Sequence, residues 1–301
     1  MSALRDITAG VLSYNRVDDL RITLDALLTI PELRIFVVDN ASTDGSVALL
    51  ENYAAEHATR MRLLRLESNI GIAARNLMFA QVRTPFLLTL DDDSWPRGAD
   101  DVLALHAAMC MDARIASVCA SCVHPTTRIA ETAGIERFAS AGPAQGLWDV
   151  VNIAAGGTLL RMDAIRETRG YGEEFFWGRE ENDLAFQLLL KGWRVTFLPS
   201  AVIWHSMSST GRRHYERLRI VTRNSLWLLW KYFPLPVALP MSLLFALRRL
   251  AAVLNDTRRF PHVVSGLLQG YAGMAARRQA GRFSLRQSWG LRGWFWKLLY
   301  E

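Results

Sequence analysis

Three consecutive carboxylates, Asp91, Asp92 and Asp93, follow an apolar run in the segment "FLLTLDDDSWPRG". Like charges held this close cost free energy unless a cation or hydrogen bonds offset their repulsion. Oxygen ligands at positions i and i+2 suit Mg²⁺ or Mn²⁺, which take further ligands from substrate phosphates. The segment therefore indicates a divalent-metal site on Asp91 and Asp93. The alternative is a solvated acidic turn that caps a helix starting near Ala99.

A second acidic group, Glu180, Glu181 and Asp183, lies at the start of a helical pattern. Acidic residues at a helix start ordinarily serve the helix dipole and the cap. The aromatic residues 175–177 just before them would partly dehydrate the site, which could raise a carboxylate pKa toward that of a general base. His205 ends a later apolar run, where a lone histidine is more often structural than a ligand.

Two further patterns lie at predicted strand ends or helix starts. Asp39 precedes the turn "NASTDGS", where an aspartate can accept hydrogen bonds from a nucleotide base or ribose. Taken alone, this pattern is more typical of a helix cap with an Asp-Gly turn. Asn69 and Arg75 lie at another helix start, where backbone N–H groups and the guanidinium could meet phosphate.

The elements that must position these residues alternate between short apolar runs and helical patterns. Such alternation predicts βα units, and hence an α/β fold with a mostly parallel sheet flanked by helices. We expect a helix cap at Ser46 and a helix face on Leu20, Leu24, Leu27 and Leu28. Ligands of open parallel sheets lie beyond the carboxyl ends of the strands. Residues 13–16, 39–45 and 91–93 are therefore expected at one edge of the sheet.

The composition divides the chain into two parts. Half of the 301 residues are apolar and ten are tryptophan, which predicts a globular protein with some apolar surface. Residues 1–211 hold 19 basic and 26 acidic side chains, net −7, whereas residues 212–301 hold 16 basic and 3 acidic side chains, net +13. We therefore expect a βα domain over 1–211 and a helical basic tail over 212–301. Such a tail suits an anionic membrane surface, and the absence of a nucleic-acid motif disfavours nucleic acid.

The tail contains 16 uncharged residues between Lys231 and Arg248, interrupted by three prolines at 234, 236 and 240. About 20 apolar residues are needed to span a bilayer, so this segment is predicted to lie in the membrane interface rather than to cross it. The side chains expected to hold it against anionic headgroups are Arg248, Arg249, Arg258, Arg259, Arg277, Arg278, Arg282, Trp289, Trp294 and Trp296. Alternatively, the tail helices cover the first domain or form a dimer contact.

The three cysteines, Cys110, Cys119 and Cys122, are too few and too clustered for a disulfide framework, and no secretion signal is visible. A reducing, cytoplasmic location is expected. Cys119 and Cys122 are separated by an odd number of residues in a predicted strand, so they point to opposite faces and do not form a zinc site. They are expected to be core or free thiols.

The order of the segments is more specific than any one of them. The series "SYNR", "VDNASTDGS", "NIGIAARN", "LDDD", "GGTLLRMDAI", "EENDLAFQLLLKGWRV" and His205 resembles the family-2 glycosyltransferases with the GT-A fold, over about residues 7–210. "RNSLWLLWKYFP" is similar to the tail of bacterial O-antigen-type rhamnosyltransferases. The resemblance implies an inverting transferase that moves a sugar from a nucleoside diphosphate to an acceptor hydroxyl, with Mg²⁺ or Mn²⁺.

The resemblance also implies roles for individual residues. Asp91 and Asp93 match the DxD metal motif, and His205 matches a position that completes the metal or diphosphate site. Glu180 and Glu181 match a pair whose second member is the base. Because this chain has Glu where Asp is usual, Glu180 and Asp183 stay alternatives to Glu181. The implied donor site comprises Ser13, Asn15, Arg16, Asp39, Asn69, Arg75 and Asp92. The implied acceptor site comprises Trp148, Gly156, Gly157, Trp177 and the loop after Ser140.

The implied donor is dTDP-rhamnose or a UDP-hexose, and the acceptor a saccharide or lipid-linked saccharide. We expect the protein at the inner face of the cytoplasmic membrane, and a homodimer is open. A sugar nucleotidyltransferase is disfavoured because the first strand ends in "SYNRVDD" and not in a Gly-rich basic loop. A non-catalytic scaffold is disfavoured because the expected carboxylates are present.

Overall fold

A computed structural model of the chain describes residues 3–130, 146–154, 156–207, 214–278 and 282–300. Its first half follows the predicted alternation, with a short 3₁₀ turn at Gly71–Ala73 before the third helix. The elements are β1 Ile7–Ser13, α1 Val17–Leu28, β2 Arg34–Asp39, α2 Ser46–Glu56, β3 Met61–Arg65, α3 Ala74–Gln81 and β4 Phe86–Asp91. Strands β3, β2, β1 and β4 are adjacent in that order and parallel, as predicted.

The second half completes a mixed sheet. Its elements are β5 Ser94–Pro96, α4 Ala99–Cys110, β6 Ile115–Val123, β7 Trp148–Asp149, β8 Thr158–Arg161, α5 Met162–Arg166, α6 Glu180–Leu190 and β9 Arg194–His205. The strand order is β3-β2-β1-β4-β8-β6-β9-β5, with β7 also paired to β9. β8 is antiparallel to both β4 and β6, and β5 is antiparallel to β9. The parallel pairing predicted from the alternation thus holds for the first four strands, and the α/β class is confirmed.

The sheet curls back on itself at the end of β4. Only Asp92 and Asp93 separate β4 from β5, yet β5 pairs with β9 at the opposite end of the strand order. β6 and β9 pair with a register shift between Ala120 and Ser121, an irregularity that bends strands. As a result, the ends of β4 and β9 meet at one place.

The core of this half lies on both faces of the sheet, as the two-residue period of a strand requires. Leu88 and Leu90 of β4 pack on one face and Leu87 on the other. Cys119 and Cys122 lie in opposite core clusters and are free thiols, as predicted. Of the predicted face of α1, Leu20, Leu24 and Leu27 are buried and Leu28 is half-buried.

The cap of α2 differs from the prediction. The helix begins at Ser46, whose N–H donates to Asp44 Oδ1 at 2.9 Å. Hydrogen bonding from the Ser46 and Val17 backbones lowers the Asp44 pKa despite partial burial. Ser46 is therefore the first helical residue and not the cap: the N-cap is Gly45, and the Asp44 carboxylate before it accepts from the first helical N–H.

The described residues after 212 form five α-helices. They are α7 His214–Tyr232, α8 Leu235–Val253, α9 Phe260–Ala272, α10 Leu285–Gly290 and α11 Arg292–Tyr300. Their apolar side chains form a third core cluster together with Val151, Phe175 and Phe186 of the first domain. The tail helices therefore cover part of the first domain, the alternative to a membrane role. Trp294 is fully buried against Phe186 and Phe233. The prediction that it contacts membrane headgroups is therefore wrong.

The α8 helix runs through two of the three prolines. Pro236 lies in its first turn, where the missing N–H would be unpaired in any residue, and Pro240 lies inside the helix. Because the helix continues past Arg248 to Val253, it is 19 residues long, and an 18-residue stretch of it has a mean hydropathy of 1.5. By length and composition it could cross a membrane, a criterion that some core helices also meet; 28% of that stretch is buried. The prediction that Pro236 and Pro240 interrupt the helical pattern is wrong, because α8 includes both residues.

Candidate functional site

A cluster of metal-ligand type lies where β4 ends. Asp91, Asp93 and His205 each offer one ligand atom, and these atoms all lie within 4.8 Å of one another. Asp93 and His205 are buried, and His205 Nε2 lies 3.2 Å from Asp93 Oδ1. The pairing of β5 with β9 sets His205 opposite Ser94 and so brings the imidazole to the acidic turn. Two carboxylates and an imidazole form a donor set that fits a divalent cation such as Mn²⁺.

Two arginines offset the charge of the acidic turn. Arg75 is completely buried and donates to Asp91 Oδ1 at 2.5 Å and to the Leu90 carbonyl at 3.1 Å. Arg16 Nη1 lies 3.0 Å from Asp92 Oδ1 and 3.2 Å from Asp93 Oδ2. Because Arg75 is sealed from solvent and bonded to Asp91, it orients that carboxylate, and its contact with a donor phosphate stays a prediction. Arg16 is partly exposed and stays open to a donor.

Asp92 has a different environment from its neighbours. Its Oδ2 accepts from the Tyr14 N–H at 2.9 Å and its Oδ1 accepts from Arg16. Burial raises its pKa to about 7, and the charge of Arg16 opposes that rise. Both oxygens are engaged inside the protein, so Asp92 ties the end of β1 to the acidic turn, and its place in the donor site stays a prediction.

The loops after β1 and β2 form the adjoining part of the edge. Asn15 adopts a left-handed conformation with φ 54°, its N–H donates to Ser42 Oγ at 3.0 Å, and its Oδ1 accepts from the Thr43 N–H at 2.6 Å. Asn69 Oδ1 accepts from Asn40 Nδ2 and the Gly71 N–H. Both asparagines therefore hold the conformation of their loops. These loops lie at the edge of the sheet where the predicted donor residues were expected.

Asp39 carries the sign of a ligand site. It is fully buried, and Oδ2 accepts from the Ser42 N–H at 3.0 Å. Among the described residues, Asp39 Oδ1 has no hydrogen-bond donor, nor does buried Ser13 Oγ have a partner. Buried polar atoms without partners are rare in folded proteins because they forfeit hydration. A ligand that donates an N–H or O–H would supply the missing bond at Asp39, as the prediction requires.

The helix α6 presents the candidate bases. Burial raises the pKa of Glu180 well above its ordinary value, and neighbouring Glu181 raises it further. Burial also raises the pKa of Glu181; the Asp91 charge adds to this, and Arg75 opposes it. Glu181 and Asp91 thus lie within electrostatic range of each other. The Arg179 backbone before them is left-handed, with φ 75°, which sets the entry of the chain into the helix.

Asp183 lies on the same helix but is engaged elsewhere. Its Oδ1 accepts from Tyr232 Oη at 2.6 Å and lies 2.6 Å from Lys231 Nζ, and its Oδ2 accepts from Gln187 at 3.0 Å. Burial raises its pKa, with Lys231 opposing. Because Asp183 is fully buried within this network, it holds α6 to α7 and does not fit the alternative role of base.

The four predicted acceptor residues separate into two groups. Gly156 lies at the metal-type cluster, since an added Cβ would be 2.8 Å from Asp91 Oδ2. Trp177 is half-buried with the Arg217 guanidinium 5.2 Å from its ring centroid. Gly157 instead packs against the core side chains Cys122 and Ile203, and Trp148 packs on a core cluster from β7. The segment from Ser140 up to residue 145 lies outside the described residues.

Sequence reasoning missed the contribution of α7. Asn224 Nδ2 donates to the carbonyls of Phe175 at 3.0 Å, Trp177 at 3.1 Å and Gly178 at 2.6 Å. These carbonyls belong to the loop that leads into Glu180 and Glu181. Buried Lys231 bonds both Asp183 and Glu174, the latter at 3.3 Å. Asn224 and Lys231 lie seven residues apart on one face of α7 and flank the apolar run from Leu226 to Trp230, and this spacing was the signal in the sequence.

Several solved structures share this fold. The mannosyltransferase PcManGT from Pyrobaculum calidifontis, in complex with GDP-Man and Mn²⁺, has a TM-score of 0.58 and 17% identity, covering 98% of this chain and 81% of its own. S. aureus TarS 1-349 in complex with UDP-GlcNAc has a TM-score of 0.54 and 14% identity, covering 97% and 81%. GalNAc-T7 with UDP, GalNAc and Mn²⁺ has a TM-score of 0.56 and 13% identity, covering 71% and 48%.

The curled α/β sheet with its flanking helices thus has the fold of the GT-A glycosyltransferases. The family model described as "Glycosyl transferase family 2" matches residues 8–169, more than half of the chain. The chain belongs to this family and is a glycosyltransferase, as the sequence predicted. A comparison with curated protein sequences gives no significant match.

Proposed function

We propose that this protein is a metal-dependent, inverting glycosyltransferase that moves a sugar from a nucleoside diphosphate to a hydroxyl of a saccharide acceptor. The observation that carries the proposal is the Asp91–Asp93–His205 cluster in a chain of glycosyl transferase family 2. The unpartnered Oδ1 of Asp39, on the same edge of the sheet, supports a nucleotide there. We further propose dTDP-rhamnose or a UDP-hexose as the donor.

The proposed reaction uses Glu181 as the base. Glu181 accepts the proton of the acceptor hydroxyl, whose oxygen attacks the anomeric carbon on the face opposite the diphosphate, so the configuration inverts. A divalent cation held by Asp91, Asp93 and His205 would stabilise the negative charge that develops on the leaving diphosphate. Arg75 holds Asp91 in position. General-base assistance typically contributes about 10²–10⁴-fold to the rate.

The test of the donor site is calorimetric titration of UDP, dTDP and GDP, with and without Mn²⁺. Asp93→Ala should abolish the Mn²⁺-dependent part of binding. Asp163→Ala, which removes an exposed aspartate whose side chain is 85% accessible, is the matched control and should bind like the wild type. If no nucleotide binds to the wild type under any metal condition, the protein is a non-catalytic scaffold and the proposal fails.

We also propose that the protein works at the inner face of the cytoplasmic membrane on a lipid-linked saccharide. From 235 to 247, every exposed residue of α8 is apolar. These residues are Leu235, Pro236, Leu239, Pro240, Leu243, Leu244 and Leu247. A continuous apolar face beside a basic tail is typical of interfacial helices. Flotation with phosphatidylglycerol vesicles tests this placement, and a full-length protein that stays in the soluble fraction refutes it.

A further inference from the structure

Two arginines, one from α7 and one from the turn after α9, lie over the same tryptophan ring. The guanidinium of Arg223 lies 4.3 Å from the Trp227 ring centroid, and that of Arg277 lies 4.2 Å from it. Arg219 is close enough to act on Arg223. Burial, together with the charges of Arg219 and Arg277, lowers the pKa of Arg223 to about 10. Cations assembled this closely repel one another, and a bound anion would offset that repulsion.

The surrounding carboxylates offset these cations only in part: Glu174 acts on Arg277 through its charge but is paired with Lys231. Glu216 pairs with Arg219 at 3.4 Å, and Glu174 is engaged by Lys231. Within the described ranges, no carboxylate forms an ion pair with Arg223, Arg277 or Arg278. In the same part of the chain, Arg277 Nε and Arg278 Nη1 are buried and have no hydrogen-bond acceptor. Phosphate oxygens are the acceptors that a guanidinium matches best.

An apolar groove begins beside these arginines. The Arg278 guanidinium lies 5.7 Å from the ring centroid of Trp230, which forms one wall of the groove. Leu239, Leu243 and Tyr271 line the rest of a volume of about 380 Å³ between α8 and α9. Trp230 Nε1 donates to Ser242 Oγ at 2.9 Å and Tyr271 Oη donates to the Ser242 carbonyl at 3.1 Å. Since the polar groups of the walls bond one another, the groove offers a hydrocarbon surface.

The arginines also touch the loop that leads to the proposed base. Arg223 Nη2 donates to the carbonyls of Glu174 and Phe175, each at 3.3 Å. We propose that Arg223, Arg277 and Arg278 bind the phosphate or diphosphate of an amphiphile whose hydrocarbon chain lies in the groove lined by Trp230 and Leu243. This inference deepens the proposed function, because a lipid-linked acceptor is such an amphiphile. The binding itself requires no donor.

The experiment measures binding of farnesyl diphosphate and of inorganic pyrophosphate to the full-length protein by calorimetry. Arg277→Gln/Arg278→Gln should weaken both about tenfold or more, since each lost charge-assisted hydrogen bond is worth about a factor of ten. The matched control Arg34→Gln/Arg83→Gln removes a pair of exposed arginines outside the cluster and the basic tail and should change neither. Thermal melting of each variant verifies that it is folded.

The groove is tested with a second pair of variants. Leu243→Gln should weaken farnesyl diphosphate and leave pyrophosphate unchanged, whereas Leu254→Gln, an equally exposed leucine that does not line the groove, should change neither. Equal affinity for the two probes, together with no effect of Leu243→Gln, overturns the amphiphile site. So does an equal loss in the two arginine pairs, or no binding of any probe.

Phosphatidylcholine vesicles with and without phosphatidylglycerol distinguish the source of the phosphate. Flotation that requires phosphatidylglycerol and is lost in Arg277→Gln/Arg278→Gln assigns the site to bulk lipid headgroups. Farnesyl diphosphate binding that is lost in Arg277→Gln/Arg278→Gln, while flotation of that variant equals that of the wild type, assigns it to a lipid-linked acceptor. Nucleotide titration on the same proteins separates the two proposals. Farnesyl diphosphate binding without nucleotide binding would refute the glycosyltransferase mechanism and leave this site standing.

Discussion

Replacing Gly156 by alanine should weaken the divalent-metal site without unfolding the protein. An added Cβ would lie 2.8 Å from Asp91 Oδ2 and 3.3 Å from Ser94 Oγ, whereas ordinary contacts begin at 3.4 Å. The carboxylate must therefore move by about 0.6 Å. It cannot simply rotate away, because Arg75 holds its other oxygen at 2.5 Å. Metal sites tolerate only about 0.2 Å in ligand distances, so we expect Mn²⁺ affinity to fall about 10–100-fold.

The assay is a Mn²⁺ titration of nucleotide binding and of sugar transfer. Gly98→Ala is the matched control, since Gly98 has an extended backbone with φ −174° and open space around its Cβ position. Excess Mn²⁺ should restore part of the activity of Gly156→Ala, because the defect lies in affinity. An affinity of Gly156→Ala equal to that of the wild type would refute the placement of Gly156 against the metal ligand. An equal loss in Gly98→Ala would refute the local explanation.

Three further predictions concern α6 and α7. Lys231→Met leaves the Asp183 carboxylate buried without its cation, so the free energy of unfolding measured in urea should fall by about 3–5 kcal/mol. Adding Asp183→Asn should recover part of that loss. A loss below about 1 kcal/mol would contradict the prediction. Asn224→Ala frees three loop carbonyls, so kcat should fall up to about 10²-fold while nucleotide Kd stays unchanged; an equal change in both would indicate general unfolding. Burial raises the Glu181 pKa above 4.5, and the base must be deprotonated to act, so the rate of sugar transfer should fall as the pH decreases, with a midpoint above pH 4.5. Glu181→Gln should abolish transfer and retain nucleotide binding.

The helices and strands of this fold were predictable because each has its own hydrophobic periodicity in the sequence. The unbroken apolarity of β4 and the spacing of Leu20, Leu24 and Leu27 each depend on neighbours a few residues away. The curl of the sheet was not predictable, because it depends on β5 pairing with β9 far along the chain. The place of His205 beside Asp93 follows from that pairing, so the residues alone left its role open.

In the candidate site, too, the features set by neighbouring residues were predictable and those set by distant residues were not. The acidic turn and the Glu180–Glu181 pair are consecutive residues, so one element positions each group. The engagement of Asp183 could not be read from α6, since its partners Lys231 and Tyr232 come from α7. Trp294 was misassigned for a similar reason: a tryptophan in a basic tail suits a headgroup as well as a core, and only its packing against Phe186 decides.

The contacts of Asn224 have a consequence for how the protein becomes active during synthesis. The ribosome synthesises the strands of the sheet, the acidic turn and α6 before α7. Domains generally fold in the same order, from the N-terminus. Until Asn224 and Lys231 emerge, the loop before Glu180 lacks the groups that hold its carbonyls, and Asp183 lacks its cation. We therefore expect that sugar transfer starts only after the C-terminal helices have packed against α6 and the loop before it.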